Sequence, residues 1–365
     1  MLGQVKPMSV FLFIGSSNRS KEAIRQDAGI AIFRFDEDTL TADPVLTETG
    51  IDNPSYLTVD QQSGILLAVS EVEAWSECTL SAYRFDPKAG KLTYLNKQPT
   101  RGSSTCHVGF LPGGRAGIAN YGSGEHGPEQ AICLYSMGEN GHLGAPETSF
   151  RHEGPTGPAK ERQDRNHAHC LVPTPDGRFL LAVDLGLDCI IGYSGTPPHE
   201  AFRAQTPAGF GPRHLVCHPD AGFVYVLNEL KPFVSVFRLA EDGLVHLQDV
   251  AALSNPSAEP AWGAGIQTSR DGRFLYASIR GQDCVSVFQI EEEGRTLSLM
   301  QSIATGGRWP RDFTLTPSGR HLLVANQHSD TMTIFARDAE SGHLTMIGTP
   351  LAVPAPQCVK SVEFS

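Results

Sequence analysis

Apolar residues in this chain fall in short blocks bounded by turn formers, and long stretches with helical spacing are absent. One block plan recurs. The segment HCLVPTPDGRFLLAV begins at His169, RHLVCHPDAGFVYVL at Arg213, AGIQTSRDGRFLYAS at Ala264 and RDFTLTPSGRHLLVA at Arg311. Each holds a short apolar run, a turn such as Pro175-Asp176-Gly177, and a second apolar run such as 179–183. A third run, like 234–237, mixes apolar and polar positions. A fourth, like 244–250, follows the turn Glu241-Asp242-Gly243. Weaker copies begin at Ser55 and Cys106, and a half-copy near Cys358. The seven starts are spaced by 51, 63, 44, 51, 47 and 47 residues. A period of about 40–50 residues with four strands per unit is the signature of propeller blades.

The two ends complete the count. The stretch 358–364 supplies a first strand only, and 11–15, 29–35 and 44–47 supply three more. The pattern therefore predicts an all-β fold, a seven-bladed β-propeller closed by one C-terminal strand with three N-terminal strands, with 1–365 as a single domain. A six-bladed ring would leave the terminal apolar runs without partners and sheet edges open.

Composition narrows the partners. The 365 residues carry 29 Lys and Arg against 40 Asp and Glu, a net charge of −11. That charge disfavours nucleic acid or an anionic membrane as the main partner. No apolar run approaches a membrane span of about 18 residues. Met1 to Ser17 lacks the h-region and cleavage site of a secretory signal and reads as a buried strand. The eight cysteines are scattered without a CxxC pair, which points to reduced, mostly buried thiols in a cytoplasmic protein. A closed ring needs no partner for its edges, so a monomer or weak homo-oligomer is expected.

The repeat also predicts where chemistry sits. The first two strands of a blade are antiparallel, so the start of one and the end of the next share a face. The starts are Ser55, Cys106, His169, Arg213, Ala264 and Arg311. Sixteen residues on lie Glu71, Gly122, Leu185, Glu229, Arg280 and Gln327, with Asn120 and Asp184 the nearest polar side chains in two blades. His169, Arg213, Glu229 and Arg280 could converge on one pocket. A histidine or carboxylate there can exchange a proton near neutral pH. Two guanidiniums can grip a phosphate or carboxylate, or hold an oxyanion. Arg311 and His167 are further binding candidates. Polar rings around a propeller axis also serve simply to solvate the channel, which is the plain alternative for any single member. Asp184 and Asp188 read as structural acceptors, and His218, His246 and His321 as turn or surface residues. His167 and His169 share one face of an extended strand, a spacing that also suits a metal, but no strong third ligand accompanies them. No metal is expected. The stretch 151–166, rich in Gly, Pro and charge, lies just before His169 and should cross the ligand face, as a cover or as an ordinary insertion.

Familiar signatures fail. There is no GxSxG, HExxH or P-loop. The letters of GxGxxG occur at 122–127, but Pro128 and a β-like segment follow where a dinucleotide site needs a helix. No cofactor is expected, and no cysteine carries a nucleophile motif.

The segments GPRHLVCHP (211–219) and YVLNEL (225–230), with His167-Ala168-His169, DLG (184–186) and PRDF (310–313), resemble the seven-bladed propeller lactonases. That family includes bacterial 6-phosphogluconolactonases and fungal carboxymuconate lactonizing enzymes. The resemblance covers nearly the whole chain. It implies that the family's histidine, first arginine, glutamate and second arginine fall on His169, Arg213, Glu229 and Arg280. It further implies a small anionic lactone as substrate, and hydrolysis of 6-phospho-glucono-1,5-lactone to 6-phosphogluconate. A muconate-type cycloisomerase and a non-catalytic binding propeller are the alternatives.

Overall fold

The computed structural model describes residues 9–19, 24–122, 127–220, 222–255 and 260–364. Among these residues the chain forms seven antiparallel sheets of four strands each. We number these sheets as blades 1 to 7. Blade 1 joins Pro356–Phe364 to Ser9–Ser16, Ile30–Asp36 and Thr41–Glu48, in that spatial order. Blades 2 to 7 follow the chain, each beginning at the axis. Their inner strands are Pro54–Val59, Thr105–Leu111, Ala168–Pro173, Pro212–Cys217, Trp262–Thr268 and Pro310–Leu315. Each inner strand packs on the next, and Pro356–Phe364 packs on both Pro54–Val59 and Pro310–Leu315, so the ring closes. The terminal strands pair from Ser9 with Phe364 to Ile14 with Val359. This is the closure expected from the apolar ends.

The apolar blocks are continuous because middle strands face a neighbour on both sides. In Ser9–Ser16, Phe11 and Phe13 enter the core shared with blade 2, whereas Val10, Leu12 and Ile14 enter the core shared with blade 7. Ile65–Ser70, Leu180–Asp184 and Phe274–Arg280 are buried at every position. Seven such inter-blade cores make up the interior. Outer strands such as Lys91–Pro99 and Leu344–Ala352 face solvent with mixed, mostly polar side chains. They leave little apolar edge for a stray strand to join.

One boundary differs from expectation. The outer strand of blade 1 begins at Thr41, ahead of Pro44. Pro44 sits on the edge strand at a register shift, the setting in which a missing N–H costs no ladder bond.

Candidate functional site

One irregularity recurs at the same height in six blades. Pairing between the first two strands passes from Pro54 to Tyr56, Thr105 to His107, Ala168 to Cys170, Pro212 to His214 and Pro310 to Asp312. The residues left over are Ser55, Cys106, His169, Arg213 and Arg311. In blade 6 the shift spans Ala264 and Gly265. A bulge re-aims the side chain it leaves unpaired. These bulged positions are the blade starts that the sequence repeat marks. Glu71, Glu229 and Arg280 stand opposite, at or just past the ends of the second strands.

The structure brings His169, Arg213, Glu229 and Arg280 together. Arg280 Nη2 lies 2.8 Å and Arg213 Nε 2.9 Å from Glu229 Oε2. The Arg213 Nε contact has the distance but not the alignment of a hydrogen bond, and it acts as a charge contact. His169 Nε2 is 3.9 Å from the same oxygen, beyond hydrogen-bond reach. All four are buried. Both arginines are tied to backbone: Arg213 Nη1 donates to Ala264 O at 2.8 Å, and Arg280 Nη2 to Gly263 O at 2.9 Å. The Arg280 guanidinium also lies 5.3 Å from the centre of the Trp309 ring. The backbone N–H of Trp309 donates to Asp283 Oδ1 at 2.9 Å.

Burial would raise the Glu229 carboxyl, but Arg280 and Arg213, then His169 and Arg162, outweigh it and hold it well below the usual carboxylate range. Burial and the Arg213 charge push His169 well below its usual value, against the pull of Glu229. At neutral pH the site therefore holds a carboxylate, a neutral imidazole and charged guanidiniums.

Four contributors stand outside the candidate residues drawn from the sequence, although Cys106 is one of its marked blade starts. Arg162, on the 151–166 stretch, donates from Nη2 to Glu229 Oε1 and, at 3.2 Å, to the Tyr121 hydroxyl. Tyr121 stacks on His167 with ring centres 4.2 Å apart and meets His169 edge-on at 5.6 Å. Cys106 Sγ lies 3.6 Å from His169 Nδ1. Trp309 backs Arg280 as described above. Only a charge-rich loop before His169 hinted at Arg162.

The remaining candidates take other places. Arg311 is on the same face but pairs with Glu71 at 3.0 Å. His167 is held on both ring nitrogens, by Tyr121 O at 2.8 Å and Asp164 Oδ1 at 2.9 Å. Asn120 and Asp184 do not join the pocket. Asn120 bonds Thr100 O and Gln130 O, and Asp184 accepts from His152, His167 N and Leu187 N. Asp188 accepts from the backbone of Gly209 and Gly211. His218 and His321 are buried near turns, and His246 is exposed beside Asp249. Residues 123–126 of the GxGxxG-like stretch lie outside the described residues. All eight cysteines are unpaired, and seven are buried.

Beneath the site a second polar layer fills the axis. His107, His214 and Tyr56 pack against one another, with His214 edge-on to His169 at 5.3 Å. Lys360 lies 4.4 Å from the Tyr56 ring centre and 2.9 Å from Asp312 Oδ2. Burial pushes His107 down to about 3, and burial with the Arg213 charge pushes His214 well below its usual value.

The family profile described as "Lactonase, 7-bladed beta-propeller" matches residues 11–361. The chain belongs to the seven-bladed β-propeller lactonases. It is 30% identical over 338 residues to a 6-phosphogluconolactonase of Bacillus subtilis, covering 91% of this chain and 94% of that one. It is 29% identical to a 6-phosphogluconolactonase of Formosa agariphila, covering 97% and 100%. Among solved structures it resembles a periplasmic gluconolactonase of Pseudomonas aeruginosa, with a TM-score of 0.88, 28% identity and coverage of 97% and 99%. In this lactonase, the bulges at 169 and 213 and the strand ends at 229 and 280 bring the candidate side chains together at one end of the axis.

Proposed function

We propose that this lactonase hydrolyses 6-phospho-glucono-1,5-lactone to 6-phosphogluconate. The observation that carries the reading is the charge of the pocket. Three guanidiniums, those of Arg162, Arg213 and Arg280, contact the single carboxylate of Glu229. This leaves an excess of positive charge on an otherwise acidic protein. Such a pocket favours an anionic lactone over a neutral one. The names of the Bacillus and Formosa relatives support the same substrate.

In this reading water attacks the lactone carbonyl, and its proton passes to His169, which is neutral at the start. The imidazolium that forms is stabilised by the Glu229 carboxylate. Arg213 and Arg280, held by backbone carbonyls, stabilise the developing oxyanion. Collapse of the tetrahedral intermediate breaks the ring C–O bond, and the proton moves from His169 to the departing ring oxygen. The product is a carboxylic acid and a free hydroxyl, and the acid releases its proton to solvent to become the carboxylate. These steps use side chains alone. Eight unpaired thiols fit a reducing compartment, so the reading includes a cytoplasmic location.

A second reading, an unphosphorylated sugar lactone as substrate, is favoured by the Pseudomonas neighbour. The deciding experiment compares freshly made 6-phosphogluconolactone with glucono-1,5-lactone, each against its spontaneous hydrolysis, for wild type and Arg213→Ala. Acceleration that is larger for the phosphorylated lactone and falls in the variant is expected. Acceleration of the neutral lactone alone would overturn the phosphosugar assignment.

A further inference from the structure

The three guanidiniums on Glu229 are not equivalent. Arg213 and Arg280 have side chains 3% and 7% exposed, and each is fixed by a backbone carbonyl. The Arg162 side chain is 41% exposed. Both of its contacts among the described residues, to Glu229 Oε1 and the Tyr121 hydroxyl, use Nη2. Neither ties it to backbone. A guanidinium carries five N–H donors in a planar fork, so this one has donors to spare on its solvent side.

The loop that carries Arg162 is nonetheless firmly seated. His152 Nδ1 bonds Asp184 Oδ2 at 2.6 Å, and its Nε2 meets the Tyr193 hydroxyl at 2.7 Å. Gly157 N donates to Gly186 O at 2.9 Å, and Gln163 Nε2 to Leu185 O at 2.8 Å. Asp164 is held by His167. A short turn in which Arg162 N and Gln163 N both donate to Ala159 O fixes the backbone at the arginine itself. The backbone is pinned at the arginine, while the side chain is held by Nη2 alone and is the most exposed of the three guanidiniums on Glu229.

We propose that Arg162 is the receiver for the phosphate monoester of the substrate, and that its transfer from Glu229 Oε1 to the phosphate readies the site for reaction. A dianionic phosphate competes well for a half-exposed guanidinium, because it offers more charge and a matching set of acceptors. Removal of one cation from Glu229 strengthens the field of that carboxylate on His169. The Glu229–His169 pair thereby gains proton affinity when a phosphorylated substrate is bound. Neutral lactones would leave Arg162 on Glu229 and meet a less basic pair. This inference rests on the lactonase reading of the site, and it makes Arg162 a specificity determinant.

The test separates binding from turnover. Calorimetry measures 6-phosphogluconate and gluconate binding to wild type, Arg162→Gln and Arg162→Lys. Wild type should prefer the phosphorylated acid, and that preference should fall roughly 10- to 100-fold in Arg162→Gln. Arg162→Lys should retain part of it. A preference unchanged in Arg162→Gln, or absent in wild type, overturns the proposal. A collapsed loop would weaken both ligands alike and leave their ratio where it was, which also counts against it. The pH profile of kcat/KM with the phosphorylated lactone gives a second readout. Arg162-dependent binding without lactone turnover would remove the lactonase reading and leave the receiver standing. Turnover with Arg162-independent binding would do the reverse.

Discussion

Gly186 lies so close under the carbonyl of Arg165 that a Cβ at 186 would stand 1.7 Å from that oxygen. The glycine is the third residue of the DLG segment, and its bare Cα is what lets the 151–166 loop settle over blade 4. Gly186→Ala should lift the loop and draw Arg162 away from Glu229. The expected result is a raised KM for the phosphorylated lactone and a stability loss of about 1–3 kcal/mol, the usual cost of forced overpacking. Steady-state kinetics with a denaturant melt checks it. Unchanged KM and midpoint would show that the loop seats itself by other contacts.

Glu229 joins the fixed arginines electrically. Glu229→Gln keeps the shape but leaves the buried Arg213 and Arg280 guanidiniums without a counter-charge. Breaking a buried pair from one side costs about 3–5 kcal/mol. Turnover should fall by about 100-fold or more, because the imidazolium on His169 loses its stabilising charge. Arg280→Gln in the same chain should restore part of the stability and none of the turnover. A denaturant-based double-mutant cycle measures the first, and initial rates the second. Additive stability losses would mean that the two charges are not coupled.

The buried imidazoles make a prediction about acid. His107 is pushed from an ordinary 6.5 to about 3 by burial, and Lys360 and Arg213 add to the shift. His169 and His214 are shifted the same way. The unfolded chain binds these protons below pH 6.5 and the folded one does not. Stability therefore rises with pH across roughly 3 to 6.5 and is lost as pH falls through that window, by about 1.4 kcal/mol per unit for each fully coupled histidine. Urea midpoints at several pH values should show this slope. His107→Gln should reduce it by about one proton. A slope that the substitution leaves unchanged would place the acid sensitivity elsewhere.

Much of this was legible in the sequence, for a physical reason. A blade is a local unit, so turns such as Pro175-Asp176-Gly177 and the runs beside them repeat visibly along the chain. Closure was legible because the end runs 11–15 and 358–364 had no other partner. Opposed strand ends follow from antiparallel pairing, which is why the sequence alone places Arg213 and Glu229 on one face. Arg162 was not legible. It stands on an irregular loop whose course is set by tertiary contacts of His152, Gln163 and Gly186, and no periodicity distinguishes it from Arg165. The polar layer below the site was hidden for another reason. Tyr56, His107, His214 and Lys360 follow or lie near bulges, and a bulge breaks the alternation that would have told inward from outward. Asn120 and Asp184 stand at the expected height, yet they face the loops, because buried loop carbonyls need donors, which Asn120 supplies, and buried loop N–H groups need acceptors, which Asp184 supplies.

Cys106 offers the last test, because its place beside His169 could suggest a nucleophile. Its Sγ lies 3.6 Å from His169 Nδ1 and within reach of the carbonyls of Ala119 and Ala168. Burial, with the Glu71 charge, pushes the thiol well above its usual value. A thiol in that state is a poor nucleophile and a serviceable hydrogen-bonding partner. With its S–H on those carbonyls, the sulfur accepts from His169 Nδ1–H, which fixes the tautomer and leaves Nε2 unprotonated toward Glu229 and the lactone. Cys106→Ala should lower turnover by about tenfold, and Cys106→Ser, which keeps an acceptor for Nδ1–H, should lower it less. The acid limb of the rate profile should move in the alanine variant, because the imidazole loses its partner on Nδ1. Rapid quenching during turnover, followed by intact-mass measurement, should find no acyl adduct on the protein. An adduct on Cys106, or equal loss in both variants, would replace the water-attack route with a covalent one.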